Sequence, residues 1–283
     1  MSGQMASLRT FLNQRGPTDA ASDASRVIVV AGGKGGVGTS TVASLLAVGL
    51  ARRGERVLLV DGSQGWLHML FGLADVRGLA AVRAGTAAPA DLVVQIRDGL
   101  DLLPAGPGDE ALLLDAGPME RRALARKLGA LYPRYDVVLI DAGSRLASVI
   151  EACALGADRL VAVTTAERLA VASAYALLKA LRGRYPDLRR QLVVSREDPD
   201  RARPVVACLE DAAARFDTGA IEHLGTVPVD ARLVVGLEGT RPIQHTAPEA
   251  PAARAAMEMA ASIQHELHTR AAAADGDRVV SST

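Results

Sequence analysis

The residues best equipped for chemistry lie in one short run, Gly32-Gly33-Lys34-Gly35-Gly36-Val37-Gly38-Thr39-Ser40-Thr41. Glycine tolerates positive φ and close backbone approach, so such a run can turn its N–H groups toward an anion. It follows the β-branched segment VIVVA (27–31) and precedes an apolar-periodic stretch over roughly 39–53. Strand, Gly-rich turn and helix N-terminus together are the setting in which phosphates are cradled. The P-loop pattern is GxxxxGK[ST], in which the lysine reaches the β/γ-phosphates and the hydroxyl holds magnesium. Gly33 through Gly38 fill its first six positions. Thr39 then stands at the lysine position and Ser40 at the hydroxyl position.

Phosphoryl transfer needs a cation on the transferring phosphates, and Thr39 carries none. A charge-assisted hydrogen bond is worth roughly 1.5–3 kcal/mol, so nucleotide binding is expected to be weakened about ten- to a hundredfold. Whether Lys34 substitutes, from its own loop or from a second subunit, is open at this stage. Magnesium wants oxygen ligands. Ser40 and Asp141, which ends DVVLID (136–141), are the candidate pair, with Asp61 at the end of RVLLVD (56–61) nearby. The five histidines show no HExxH spacing. His265 and His268 stand three apart, a spacing that solvated helix-end histidines share with metal clamps. Cys153 and Cys208 form no CxxC pattern and read as two reduced, buried thiols.

The elements that must position these residues alternate. Strands are expected at 27–31, 56–61, 100–104, 136–141, 159–165, 191–195 and 222–228, with helices at 118–131, 145–155, 167–183, 203–215 and 250–268. That rhythm specifies an α/β domain with a doubly wound, mostly parallel sheet and helices on both faces, over 26–270. An amphipathic helix (4–15, with Met5, Leu8 and Leu12 on one face), a polar linker (16–25) and a frayed, disordered tail (271–283) flank it.

The chain has 283 residues, 49% hydrophobic, with 32 basic and 32 acidic side chains. Its apolar content excludes a disordered body, and zero net charge argues against a basic nucleic-acid coat. No signal-peptide h-region and no membrane-length apolar window stand out, so a cytoplasmic protein is expected. The basic clusters at 121–127 and 182–190 read as solvated helix faces, and DNA binding is not supported. Ala256, Met259, Ile263 and Leu267 share a helix face expected to close the domain. Nothing beyond it has the bulky apolar stripe of a membrane helix. The single Trp66 is either a packing residue or a partner contact.

The string KGGVG resembles the deviant Walker A motif of the MinD/ParA ATPases, a P-loop NTPase family. VLLVDGSQGWLHMLFGL (57–73) and YDVVLIDAG (135–143) resemble that family's Asp-x-Asp segment and Walker B strand. GTVPVDARLV (225–234) resembles its base-binding loop. TTAERLAVASAYALLKAL (164–181) is similar to the FlhG/FleN branch, regulators of flagellar number. The resemblance implies ATP/ADP and magnesium as cofactors and a homodimer with nucleotide at its interface. It implies catalytic roles for Lys34, reaching across that dimer, and for Asp61, and a base-side site at Ser195, Arg196 and Pro228. Gln4, Leu8 and Arg9 keep the spacing of an FlhG partner motif, without its first acidic residue and alanine. The partners implied are an FlhF-like GTPase, a flagellar transcription activator and basal-body proteins, with recruitment to the cell pole or flagellar base. The N-terminal helix packing on its own domain is the other reading.

Two departures add to Thr39. The family's Asp-x-Asp pair reads Asp61-Gly62-Ser63, removing the second carboxylate. Its Asn-Arg reads Ser195-Arg196, leaving the choice of adenine or guanine open. The expectation is therefore an FlhG/FleN-like regulator acting through partner binding, with weakened ATP binding and little or no hydrolysis. An active ParA/MinD-like ATPase positioning DNA or another cargo, and a nucleotide-independent adaptor, are the alternatives.

Overall fold

The computed structural model describes residues 26–63, 66–106, 118–216, 218–233 and 241–280. The elements run β1 (Arg26–Gly32), α1 (Thr39–Arg52), β2 (Val57–Asp61), α2 (Leu67–Leu70), α3 (Ala80–Arg83), β3 (Val94–Arg97), β4 (Leu100–Leu103), α4 (Pro118–Gly129), β5 (Val137–Asp141) and α5 (Leu146–Cys153). They continue with β6 (Arg159–Thr164), α6 (Arg168–Arg182), β7 (Arg189–Ser195), α7 (Pro199–Arg215), β8 (Glu222–Val227) and α8 (Pro251–Val280). The described strands form one sheet in the order β3-β4-β2-β5-β1-β6-β7-β8. All neighbours pair parallel except β3 with β4. The doubly wound α/β expectation is met.

The central strand β1 has β5 on one side and β6 on the other, with Val29 opposite both Ile140 and Leu160. The chain passes from β1 to β2 on one side and from β5 to β6 on the other. Gly32, Asp61 and Asp141 therefore all emerge at the carboxyl edge near that reversal, where open α/β sheets bind ligands.

Side chains alternate across the pleat. Val27, Val29 and Ala31 face a core layer that includes Leu128 of α4, Val149 of α5, Leu178 of α6 and Leu209 of α7. Ile28 and Val30 face the opposite layer, built from α1 and α8. Helix α1 is buried along nearly its whole length, because α8 lies over it. A β-carbon on Gly49 would fall 3.1 Å from both the Ala256 carbonyl oxygen and the Ala260 methyl. Ala256, Met259, Ile263 and Leu267 are all buried, as expected of a helix that closes the domain.

Four details differ from the expectation. The edge strand β3 is too short and too polar, VQIR, to carry a strand signal, and its antiparallel pairing shifts register between Gln95 and Arg97. Helix α7 starts at Pro199 rather than 203, because Asp198 caps it by accepting from the Arg201 amide at 2.9 Å, and Pro199 at the first turn loses no intrahelical bond. Helix α8 runs on to Val280 through the Ala271–Ala274 run, past the expected boundary at 270. The cluster at 182–190 is a helix face only at Arg182, which ends α6. Arg189 and Arg190 belong to β7, and the buried Arg190 donates to the carbonyls of Leu188, Thr218 and Pro186. No described helix is long and apolar enough to cross a membrane.

Candidate nucleotide site

The Gly-rich loop leaves β1 and enters α1 over the carboxyl edge. Val37 is buried in the core and anchors the loop, while Gly38 at φ 91° precedes the helix, a backbone state that glycine alone takes without strain. Gly33 is required for a different reason. A β-carbon there would fall 2.3 Å from the Ser173 carbonyl carbon, so the loop packs directly on the backbone of α6. In front of the loop is a cavity of about 240 Å³. Gly35, Gly36, Gly38, Thr39, Ser40 and Thr41 line one wall, Ser63 and Trp66 a second, and Ala142, Gly143, Ser144, Arg145 and Ser148 a third.

Thr39 is nearly buried. A β-carbon on Gly32 would fall 2.6 Å from its Oγ1, so the hydroxyl is folded back onto the loop's first glycine. The missing lysine is not replaced by Lys34 within this chain. Lys34 Nζ donates to both oxygens of the exposed Glu167 at 2.6 Å. It does not line the cavity.

The carboxylates lie beneath, both fully buried. Asp61 Oδ1 accepts from the Ser63 amide at 3.2 Å and faces its hydroxyl at 3.1 Å, while Oδ2 accepts from the Leu67 amide at 3.0 Å. Asp61 thus shapes the turn after β2. Ser63 Oγ is also 3.4 Å from Asp141 Oδ2, so a hydroxyl bridges two carboxylates. Asp141 Oδ1 accepts from the Gly143 amide at 3.1 Å. Burial pushes the Asp141 carboxyl up to about 6, a hydrogen bond from Ser40 opposes this, and the charge of Asp61 adds to it. The expected metal pair, Ser40 and Asp141, is therefore in contact. With Ser63 Oγ it makes an oxygen-only donor set suited to magnesium, and the glycine wall supplies the amides a polyphosphate needs. Bound magnesium would supply positive charge to the phosphates. The residues present orient and enclose them.

Ser195 and Arg196 are brought to the other side of the loop. Ser195 is buried, and a β-carbon on Gly38 would fall 3.0 Å from its Oγ. Arg196, in the left-handed region at φ 59°, donates from Nη2 to the Gly36 carbonyl at 2.8 Å. Pro228 follows β8 beside them, where the Glu197 amide donates to Val227 at 3.3 Å. Ser195 and Arg196 meet the loop, and none of the three lines the cavity. Ser144, Arg145 and Ser148 escaped the sequence reading. Their signal was Ala-Gly-Ser-Arg directly after the Asp141 that ends β5, a small, polar loop opening a helix. Gln4, Leu8 and Arg9 lie outside the described residues.

His268 Nε2 is 3.0 Å from Glu55, and no group of three metal ligands occurs among the described residues. Of the cysteines, Cys153 is buried, its thiol pushed up to about 12 by burial, whereas Cys208 is exposed on α7 against expectation.

Residues 25–193 match the family model described as cellulose biosynthesis protein BcsQ. The chain is 28% identical to the antiactivator FleN of Pseudomonas aeruginosa, over 81% of this chain and 83% of that protein. It is 32% identical to the chromosome-partitioning ATPase Soj of Thermus thermophilus, over 84% of this chain and 95% of Soj. The cell division ATPase MinD of Pyrococcus furiosus superposes with a TM-score of 0.69 at 26% identity, covering 85% of this chain and 98% of that one. The family model covers more than half of the chain, and the chain belongs to the BcsQ family of MinD/ParA-like P-loop proteins.

Proposed function

We propose that the protein is a MinD-type regulator of flagellar number or placement, which acts by binding partners and binds ATP weakly with little or no hydrolysis. The likeness to FleN over most of both chains supports the flagellar reading. The observation that carries the mechanistic part is at the site. The lysine position is an uncharged Thr39 folded onto Gly32, and Ser63 bridges Asp61 and Asp141 where a water-positioning carboxylate is expected. A serine hydroxyl between two carboxylates is a poor general base.

On this reading the switch is occupancy by magnesium and nucleotide, with Ser40 and Asp141 holding the metal. A homodimer would bring Lys34 toward the nucleotide of the opposite subunit. Residues 1–15, through Gln4, Leu8 and Arg9, would engage an FlhF-like GTPase, and a flagellar transcription activator or basal-body protein would be the regulated partner. The test is ATP turnover by the purified chain beside Asp141→Ala. Turnover that the substitution abolishes would overturn the weak-hydrolysis part. For the flagellar part, deleting the gene should change flagellar number per cell, and an unchanged count would sink it. The likeness to Soj favours a second reading, an active ATPase that positions DNA. An ATP-dependent, salt-sensitive shift of non-specific duplex would support that reading instead.

A further inference from the structure

We propose that Arg145 supplies the phosphate-binding cation that position 39 lacks, from the wall of the cavity opposite the Gly-rich loop. The inference rests on the reading of this cavity as a nucleotide site, and it assigns the residue that would hold the terminal phosphates there.

Among the described residues that line the cavity, Arg145 alone carries a charge. The rest of the lining is glycine, small hydroxyl side chains, Ala142 and Trp66. Asp61 and Asp141 lie fully buried behind it. A cavity that presents amides, hydroxyls and one guanidinium is built for an anion. The two other cations near the loop are already engaged, Lys34 by Glu167 at 2.6 Å and Arg196 by the Gly36 carbonyl at 2.8 Å. Arg145 is exposed, its carbonyl accepts from the Val149 amide at 3.0 Å, and its guanidinium has no hydrogen-bond or ion-pair partner among the described residues.

Its placement fits the role. Arg145 is the residue preceding α5, in extended conformation at φ −82° and ψ 119°, on the short loop that leaves Asp141. The two walls are close at that point, since a β-carbon on Gly35 would fall 3.8 Å from Ser144 Oγ. A phosphate chain seated on the loop amides would therefore lie within reach of the opposite wall. Arginine suits such a position better than lysine would, because its planar fork can donate two parallel hydrogen bonds to one phosphoryl group. The charge is thus kept in the site but moved from the helix α1 wall to the helix α5 wall.

The test uses the full-length chain and calorimetry with magnesium-ATP, magnesium-ADP and inorganic triphosphate. Triphosphate has no base or ribose and reports the phosphate cavity alone. Trp66, the single tryptophan and a cavity-lining residue, gives a second readout by its emission. Arg145→Ala should weaken ATP and triphosphate on the order of ten- to a hundredfold, and ADP less. Arg145→Lys should regain part of the loss. Arg203→Ala, an exposed arginine on α7, removes the same charge elsewhere and should change nothing. Arg145→Gln, which keeps the side-chain length, should behave as the alanine variant does and guards against a folding defect. Wild type that binds ATP while both Arg145→Ala and Arg145→Gln bind it equally well would overturn the inference and leave the nucleotide reading standing. Wild type that binds none of the three probes would overturn the nucleotide reading, and the role of Arg145 with it.

Discussion

Lys34 Nζ lies 2.6 Å from both carboxylate oxygens of Glu167, which ties the Gly-rich loop to the residue preceding α6. The pair is partly exposed, with the side chains 33% and 56% accessible. Pairs of that kind contribute about 0–1 kcal/mol. Glu167→Gln should therefore lower Tm only slightly, by no more than about 2–4 °C. Its larger effect should be on the lysine itself. Freed from the carboxylate, Lys34 should react faster with an acylating reagent, followed by mass spectrometry of the 26–52 region. Equal labelling rates in the two proteins would show that the pair does not restrain Lys34 in solution.

Thr39 sits where the loop glycines would hand phosphates to a cation, and its hydroxyl is turned onto Gly32. Thr39→Lys should raise ATP affinity by about ten- to a hundredfold, read by calorimetry with magnesium present. Hydrolysis should stay low, because Ser63 still lacks a carboxylate. A variant that binds no more tightly than wild type would mean that the charge absent from position 39 does not limit binding, the result expected if Arg145 already replaces it in full.

Asp141 gives the site a pH dependence whose sign follows from its burial. Its carboxyl goes from the ordinary 3.8 up to about 6 in the folded chain. Between those values the native state holds a proton that the unfolded state has lost, so stability falls as pH rises through that window and levels off above about 6. At about 1.36 kcal/mol for each pKa step the full loss is on the order of 3 kcal/mol. Asp136 works in the opposite direction, since its hydrogen bond from Arg56 holds it below the usual carboxylate range. Comparing wild type with Asp141→Asn isolates the first effect. In urea unfolding from pH 4 to 8 without magnesium, the variant should gain on wild type as pH rises. Millimolar magnesium should erase the difference by stabilising the wild-type carboxylate. A gap that is independent of pH would contradict the buried, proton-holding Asp141.

Much of this was legible in the sequence because the signals are local. Val27–Ala31 is β-branched and continuous because β1 is covered on both faces, and the glycine run after it marks the loop. The strand ends placed Asp61 and Asp141 correctly, because parallel strands deliver their last residues to one edge. What could not be read is what depends on contacts between distant segments. Glu167 is 133 residues from Lys34, and nothing local pairs them. Arg145 gained its position only when α5 was set against the loop. Arg189 and Arg190 looked like a solvated face because charge runs usually are one, yet Arg190 is buried among carbonyls and Arg189 is claimed by acidic partners on β8 and α8.

That last cluster yields a stability prediction far from the site. Arg159 on β6 is almost wholly buried, and its Nη2 lies 2.7 Å from Glu266 Oε2 on α8. Arg189 shares the same Glu266 oxygen and reaches Glu222 at 2.6 Å, while Gln191 accepts from Arg159 Nη1 at 3.0 Å. Burial lowers the Arg159 pKa and Glu266 opposes that shift, so the carboxylate is what keeps a charged guanidinium tolerable under α8. Glu266→Ala leaves Arg159 buried without its counter-charge and should cost about 3–5 kcal/mol in urea unfolding. Glu258→Ala, on an exposed face of the same helix, should stay within about 0.5 kcal/mol of wild type. The discriminating variant replaces both partners. If the loss in Glu266→Ala comes from an orphaned charge rather than from lost packing of α8, Arg159→Met combined with Glu266→Leu should recover most of it, because apolar pairs of similar volume commonly match buried ion pairs. A double variant as unstable as Glu266→Ala would place the cost in the packing of α8 against the sheet instead.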